Sequence, residues 1–168
     1  MSRVAVLIPA KDEAATIGAL LDGISTVSVP GHALHPIVVD DGSADATAAI
    51  ARHRGAEVVS HPANRGLGAA VRTGLRAAVA SGAVAVAYLD ADLEYDPEDI
   101  PGLLEPVLSG RADYVLGSRF RGGVRGMRLY RRVGNYAFTA LLVLLTATKM
   151  TYGQTGMRAF SREAAERA

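Results

Sequence analysis

Val84-Ala85-Val86-Ala87-Tyr88-Leu89-Asp90-Ala91-Asp92-Leu93-Glu94 decides how the chain is read. A run of small and branched apolar residues stops at three acids spaced two apart. A buried strand that delivers carboxylates at its carboxyl end is how open α/β sheets place ligand-binding groups. If the chain stayed extended, Asp90, Asp92 and Glu94 would share one side, because successive side chains alternate. Three acids on one side repel one another unless a cation lies between them. The pattern suits a hard divalent ion, Mg²⁺ or Mn²⁺, which takes oxygen ligands and is commonly shared with phosphates. The same acids also suit a surface loop leading into a helix, since Asp96-Pro97-Glu98-Asp99 has the form of a helix start.

Outward from this stretch, short apolar runs alternate with helix-like segments, the βαβ pattern of a mostly parallel sheet. Strands are expected at Val4–Ile8, Pro36–Asp40, Glu57–Ser60, Val84–Leu89 and Tyr114–Leu116. Between them, a helix begins at Asp12-Glu13 with Ile17, Leu20, Leu21 and Ile24 on one face. Further helices are expected over Ala44–Arg54, Gly66–Ser81 and Pro97–Leu108. Later come a glycine- and arginine-rich loop over 121–126, a helix from Leu129 to about Thr148, a turn over Gly153–Gly156 and a tail that ends helical. The fold class is α/β, with ligand sites at the carboxyl ends of the strands, and the 168 residues suit one domain.

Composition narrows the function. Hydrophobic residues make up 49% and charged residues 21% of the chain, ordinary for a globular protein. There is no cysteine, so disulfides and thiolate metal sites are excluded, which fits a reducing compartment. The apolar run up to Pro9 is too short for a secretory signal. Tyr136 to Thr148 falls short of the ~20 residues that span a bilayer. The chain is therefore expected not to cross a membrane and to be cytoplasmic. The net charge of +1 conceals an asymmetry: residues 1–110 carry 7 Lys and Arg against 14 Asp and Glu, residues 111–168 carry 11 against 3. An arginine-rich last third suits phosphate groups or an anionic membrane surface. Aromatic residues at 5%, not interleaved with the basic ones, argue against nucleic acid as a partner.

Several motifs carry their own chemistry. Asp40-Asp41-Gly42-Ser43 follows a buried strand, where a carboxylate such as Asp40 accepts hydrogen bonds from a base or ribose while Ser43 or Asp41 caps a helix. Gly66-Leu67-Gly68 is half of a dinucleotide fingerprint, but Val71 replaces the third glycine and the motif follows the third strand, not the first. An EF-hand over 90–101 fails, with Tyr95 at the turn glycine and Pro101 at the closing glutamate. A metal is therefore expected to be held jointly with a ligand. His32, His35, His53 and His61 lack metal-ligand spacing and read as structural or exposed.

Taken in order, Ile8-Pro9-Ala10-Lys11-Asp12-Glu13, Val39-Asp40-Asp41-Gly42-Ser43, Asn64-Arg65-Gly66-Leu67-Gly68-Ala69, Asp90-Ala91-Asp92 and Gly117-Ser118-Arg119-Phe120 resemble family 2 glycosyltransferases of the GT-A (Rossmann-like) fold. The dolichol- and polyprenyl-phosphate mannosyl and glucosyl transferases are the members most resembled. The resemblance implies that Pro9, Ala10, Asp12 and Glu13 line the nucleobase pocket and that Asp40 meets base or ribose. It implies that Asp90 and Asp92 form the metal-holding DxD, with Glu94 as a third ligand. Arg119 and Arg131 fall near the phosphates, and Gly156 and Arg158 in a late motif beside the active site. Asp92, Arg119 and Arg131 are the expected catalytic residues.

One departure sharpens the expected acceptor. Tyr152 stands where related sequences carry an acid before Gln154-Thr155-Gly156. A hydroxyl acceptor wants an acid as general base, whereas a phosphate monoester, with its second pKa near ~6, is already largely ionised. The expected reaction is transfer of mannose or glucose, with inversion, from GDP-mannose or UDP-glucose to a polyprenyl or dolichyl phosphate, dependent on Mg²⁺ or Mn²⁺. Residues 1–120 would bind nucleotide sugar and metal, and 121–168 would form the acceptor side. The helix after Arg131-Arg132 would lie peripherally at the cytoplasmic membrane face; alternatively it is an ordinary buried helix, since its apolar residues are not confined to one face, or packs against a second copy or a membrane partner. A transferase for a soluble or glycan acceptor, and a non-catalytic nucleotide-sugar-binding domain, are the alternatives.

Overall fold

The computed structural model describes residues 1–117 and 156–168. Its centre is β1 (Ser2–Ala10), buried from Val4 onward. β1 pairs in parallel with β2 (His32–Asp40) on one side and with β4 (Ala85–Leu89) on the other. β3 (Glu57–Ser60) adds in parallel beyond β2. Side chains of β1 alternate between two cores, as strand geometry requires. Val4, Val6 and Ile8 pack under α1 (Ile17–Thr26) and α4 (Ile100–Leu108). Ala5 and Leu7 pack under α3 (Leu67–Ala80). Helices on both faces explain why the strands read as unbroken apolar runs.

Helix faces match the periodicity in the sequence, but their starts are later. Ile17, Leu20, Leu21 and Ile24 are the buried residues of α1, yet the helix does not begin at Asp12-Glu13. The Glu13 carbonyl first closes a turn by accepting from Thr16 N at 3.1 Å and Ile17 N at 3.0 Å. α2 (Thr47–His53) likewise starts past Ala44, where the Asp45 carboxylate accepts from Thr47 N at 2.9 Å. Asp96 caps a 3₁₀ turn at Pro97–Asp99, accepting from Glu98 N at 3.0 Å before α4 begins. The expected helix start at this point is therefore present.

The tail ends helical as expected, but a strand that was not expected precedes that helix. Residues after Gly156 are not simply helical: Met157–Ser161 form β6, followed by the short α5 (Arg162–Arg167). β6 runs antiparallel to both β4 and β5 (Tyr114–Leu116), giving the order β3-β2-β1-β4-β6-β5. Met157 and Ala159 are buried at 3% and 0% exposure. Met, Arg and Ala favour helix locally, but the edge of β4 opposite β1 offers a full ladder of partners, and tertiary pairing overrides propensity. The loop over 121–126, the helix over 129–148 and its membrane face lie outside the described residues, as do Arg119, Arg131 and Tyr152. Among the described residues no helix is long and apolar enough to cross a membrane.

Ala159 faces Ala87 on β4 and Val115 on β5. Ala159→Glu, which puts a carboxylate into these apolar surroundings, is expected to cost about 3 kcal/mol or more. Glu163→Ala on exposed α5 should stay within about 0.5 kcal/mol of wild type. Urea unfolding followed by circular dichroism checks both.

Candidate active site

Strand order reverses at β1, with β2 on one side and β4 on the other, so a crevice opens at the carboxyl ends of these strands. Pro9 and Ala10 end β1 there, in register with Val39 and Asp40 at the end of β2. Asp90 follows the end of β4. Because β6 is antiparallel, its first residues, Met157 and Arg158, arrive at the same edge.

On the β1–β2 side, two loops hold each other reciprocally. Asp12 N donates to Ser43 Oγ at 2.9 Å, and Ala44 N donates to Asp12 Oδ1 at 2.7 Å. In return, Glu13 N donates to Thr47 Oγ1 at 2.8 Å and Ala14 N to Asp45 Oδ2 at 3.0 Å. Asp12 takes a left-handed backbone (φ 56°) to meet these partners. Its carboxyl is held below the usual range first by the Lys11 ammonium, 2.7 Å from Oδ2, and then by Ala44 N–H. The Glu13 carboxylate accepts from Thr16 Oγ1 at 2.9 Å. Asp12 and Glu13 thus stand beside the crevice with much of their hydrogen bonding directed within the chain. Asp45 is also held low, chiefly by the Thr47 hydroxyl.

The two aspartates ending β2 divide their work. Asp40 is buried and accepts from Ser43 N at 3.0 Å through Oδ1. Asp41 is committed elsewhere: Oδ1 lies 2.6 Å from His61 Nδ1 and accepts from Arg65 N at 2.9 Å, and Oδ2 accepts from Gly66 N at 2.8 Å. Burial pushes the Asp41 carboxyl up, but His61 and the two backbone donors outweigh it and hold it low. His61 Nε2 reaches Thr73 Oγ1 on α3 at 2.9 Å. The structural reading of His61 therefore holds, and the loop over 61–66 is tied to both β2 and α3. Gly42 sits under this loop with φ 72°, and a Cβ there would meet the Ala63 carbonyl carbon at 2.5 Å, so only glycine fits.

Beyond β4 the acids do not remain extended. Leu93 is left-handed (φ 60°), and Asp92 Oδ1 accepts from Glu94 N at 2.9 Å, so the chain turns between them. Asp90 is half-buried, whereas Asp92 and Glu94 are exposed. Burial pushes the Asp90 carboxyl up and the charges of Asp92 and Glu94 add to this, against the opposing effects of the Tyr88 hydroxyl and Arg158. Asp90, Asp92, Glu94 and Arg158 are thus brought together electrostatically. Among the described residues no three His, Asp or Glu side chains gather closely enough to hold a metal ion alone. All-oxygen donors with mutual repulsion suit a hard cation whose remaining ligands come from a bound anion.

Sequence reading did not find Tyr88, Tyr95, Thr73 or the partners Asp45 and Thr47. Tyr88 could have been suspected from its place two residues before Asp90, on the same side of an extended strand. The others depend on which loops meet, and that is not a local signal.

This crevice, edged by acids at a reversal of strand order, lies in a sheet of the GT-A fold. The chain belongs to glycosyl transferase family 2, whose family model matches residues 5–168. It is 32% identical over 147 residues to a UDP-N-acetylglucosamine–dolichyl-phosphate N-acetylglucosaminyltransferase of Methanococcus voltae, covering 76% of this chain and 59% of that one. It is 34% identical over 160 residues to a dolichyl-phosphate hexose transferase of Haloferax volcanii, covering 95% and 67%. The glucosyl-3-phosphoglycerate synthase of Mycobacterium tuberculosis, solved with Mn²⁺, UDP-glucose and phosphoglyceric acid, matches with TM-score 0.70 and 30% identity over 96% of this chain and 57% of that one. The chain thus spans 59% and 67% of the length of these two curated relatives.

His61→Ala removes the donor that most strongly lowers Asp41, leaving a buried carboxylate short of a partner. It should cost about 2–4 kcal/mol. A carboxyl held low when folded contributes stability above its unfolded pKa, near ~3.9, and loses it as pH falls through the folded value. The variant raises that folded value, so its acid-unfolding midpoint should move to higher pH in a circular-dichroism titration; an unmoved midpoint would contradict the role given to His61.

Proposed function

We propose that the chain is the catalytic domain of an inverting, metal-dependent glycosyltransferase that moves a hexose from a nucleotide-diphosphate sugar to a polyprenyl phosphate. The observation that carries this reading is half-buried Asp90, at the reversal of strand order, with the charges of Asp92 and Glu94 beside it. The names of the archaeal relatives support a lipid phosphate acceptor. The mycobacterial neighbour, solved with Mn²⁺ and UDP-glucose, supports a sugar-nucleotide donor and a divalent cation, Mn²⁺ or Mg²⁺.

Asp90 and Asp92 would hold the cation, with diphosphate oxygens completing its shell; Glu94, past the turn at Leu93, is assigned as a third ligand by resemblance alone. When bound, the cation would neutralise charge on the departing diphosphate. Pro9, Ala10 and Asp40 would line the base and ribose end, beside the loop that carries Asp12 and Glu13. Arg158, next to Asp90, would face the diphosphate. Arg119 and Arg131 are assigned by resemblance to the phosphates. An oxygen of the acceptor phosphate attacks the anomeric carbon from the face opposite the diphosphate. The bond from that carbon to the diphosphate oxygen breaks with its electron pair, the nucleoside diphosphate leaves, and configuration inverts. An ionised phosphate needs positioning and charge screening more than a general base, consistent with Tyr152 in place of an acid.

A polyprenyl phosphate is held by a bilayer, so this reading sets the chain at a membrane surface, with residues 121–168 on the acceptor side. The second reading is a soluble acceptor, favoured by the phosphoglyceric acid in the neighbour's complex.

Incubation with labelled UDP-glucose or GDP-mannose, Mn²⁺ or Mg²⁺, and a short polyprenyl phosphate or 3-phosphoglycerate separates the two. Labelled lipid is expected to form, chelation by EDTA to stop it, and Asp92→Ala to slow it about 100-fold or more. Labelling of 3-phosphoglycerate alone would overturn the acceptor assignment.

A further inference from the structure

Asp90 is held on both sides by groups that the proposed reaction does not use. Tyr88 and Asp90 are two residues apart, so their side chains leave the chain on the same side. The Tyr88 hydroxyl donates to Asp90 Oδ1 at 2.6 Å. The Tyr88 ring is buried at 3% exposure in the core under α3, so the hydroxyl is carried on a fixed support. The Arg158 guanidinium lies over that ring, 5.4 Å from its centre.

The opposite side of the carboxylate is closed by backbone. A Cβ on Gly156 would fall 1.8 Å from Asp90 Oδ2 and 2.8 Å from the Tyr95 ring. Gly156 N donates to the Tyr95 hydroxyl at 2.7 Å, and Gly156 O accepts from Asp90 N at 3.1 Å. One oxygen of Asp90 is thus oriented by a hydrogen bond and the other by close packing. Asp92, by contrast, is exposed, and its Oδ1 accepts from Glu94 N within its own turn.

We propose that Tyr88 is a positioning residue whose hydroxyl holds Asp90 in the orientation that takes a divalent cation together with a nucleoside diphosphate, with Gly156 keeping the far side of the carboxylate free of side chain. The inference rests on the reading of Asp90 as a cation ligand. Partners behind a ligating carboxylate fix its lone pairs, and their loss commonly lowers metal affinity about 10- to 100-fold. A ring serving only as core would act through packing, and its hydroxyl would be indifferent to metal.

Tyr88→Phe separates these roles, because it keeps the ring and its stack with Arg158 and removes only the hydroxyl. Mn²⁺ is titrated into the full chain with saturating UDP or GDP, and free Mn²⁺ is followed by electron paramagnetic resonance. Thermal melting and metal-free nucleotide binding are recorded alongside. The expected result is Mn²⁺ affinity lower by about 10- to 100-fold, melting within about 5 °C of wild type, and unchanged metal-free nucleotide binding. Gly156→Ala should weaken Mn²⁺ in the same direction by displacing Asp90. Affinity within twofold of wild type in Tyr88→Phe overturns the positioning role while leaving the site intact. Failure of the wild-type chain to hold Mn²⁺ with either nucleotide overturns the cation site itself, and the inference with it.

Discussion

A carboxylate taken out of water must find its hydrogen bonds inside the protein, and for Asp41 that demand organises one side of the crevice. It recruits the His61 ring and the backbone N–H groups of Arg65 and Gly66, and its own N–H donates to the Ala10 carbonyl at 2.9 Å. The end of β1, the connection after β2 and the connection after β3 are therefore tied to one residue. His61 passes the link to α3 through Thr73. Removing one partner from such an arrangement costs far more than its share, because the remaining charge stays buried. The neighbouring Asp40 accepts through Oδ1 from Ser43 N, a single backbone bond among the described residues.

The second side of the crevice is built differently. Its acids follow a strand that ends at Leu89, and their repulsion is only partly offset by Tyr88 and Arg158. The left-handed Leu93 adds local strain of order 1 kcal/mol, a kind of cost that persists where surrounding structure imposes it. One side is thus held together by bonds within the chain, and the other sets carboxylates of like charge beside one another. Proteins place such like-charge neighbours where they bind.

The sheet was legible because its central strands are buried on both faces, so Val4–Ile8 and Val84–Leu89 stand out as apolar runs whatever lies around them. The position of the site was legible for the same reason: acids directly after such a run have only the sheet edge to occupy. Strand β6 was not, because a five-residue segment beginning Met-Arg-Ala carries no strand signal until β4 offers its open edge. The reciprocal bonds of Asp12 with Ser43 and Ala44, and of Asp45 with Ala14, were equally hidden. They join residues some thirty apart, and from sequence Asp12 reads only as an acid near a ligand pocket. Tyr88 looked like one more apolar residue of a strand, since a phenol's ring and hydroxyl serve different masters.

The antiparallel pairing of β5 with β6 has a consequence for the connection between them. Gly117 N donates to the Met157 carbonyl at 2.8 Å, so the described residues on either side of 118–155 are held together. Whatever lies between is closed by a hydrogen-bonded pair of strands, as in a hairpin of unusual length. Closing a longer connection costs little, only about 0.6 kcal/mol for each doubling. The sheet thus fixes both ends of residues 118–155 side by side, and the entropic cost of that closure depends only weakly on how many residues the connection holds.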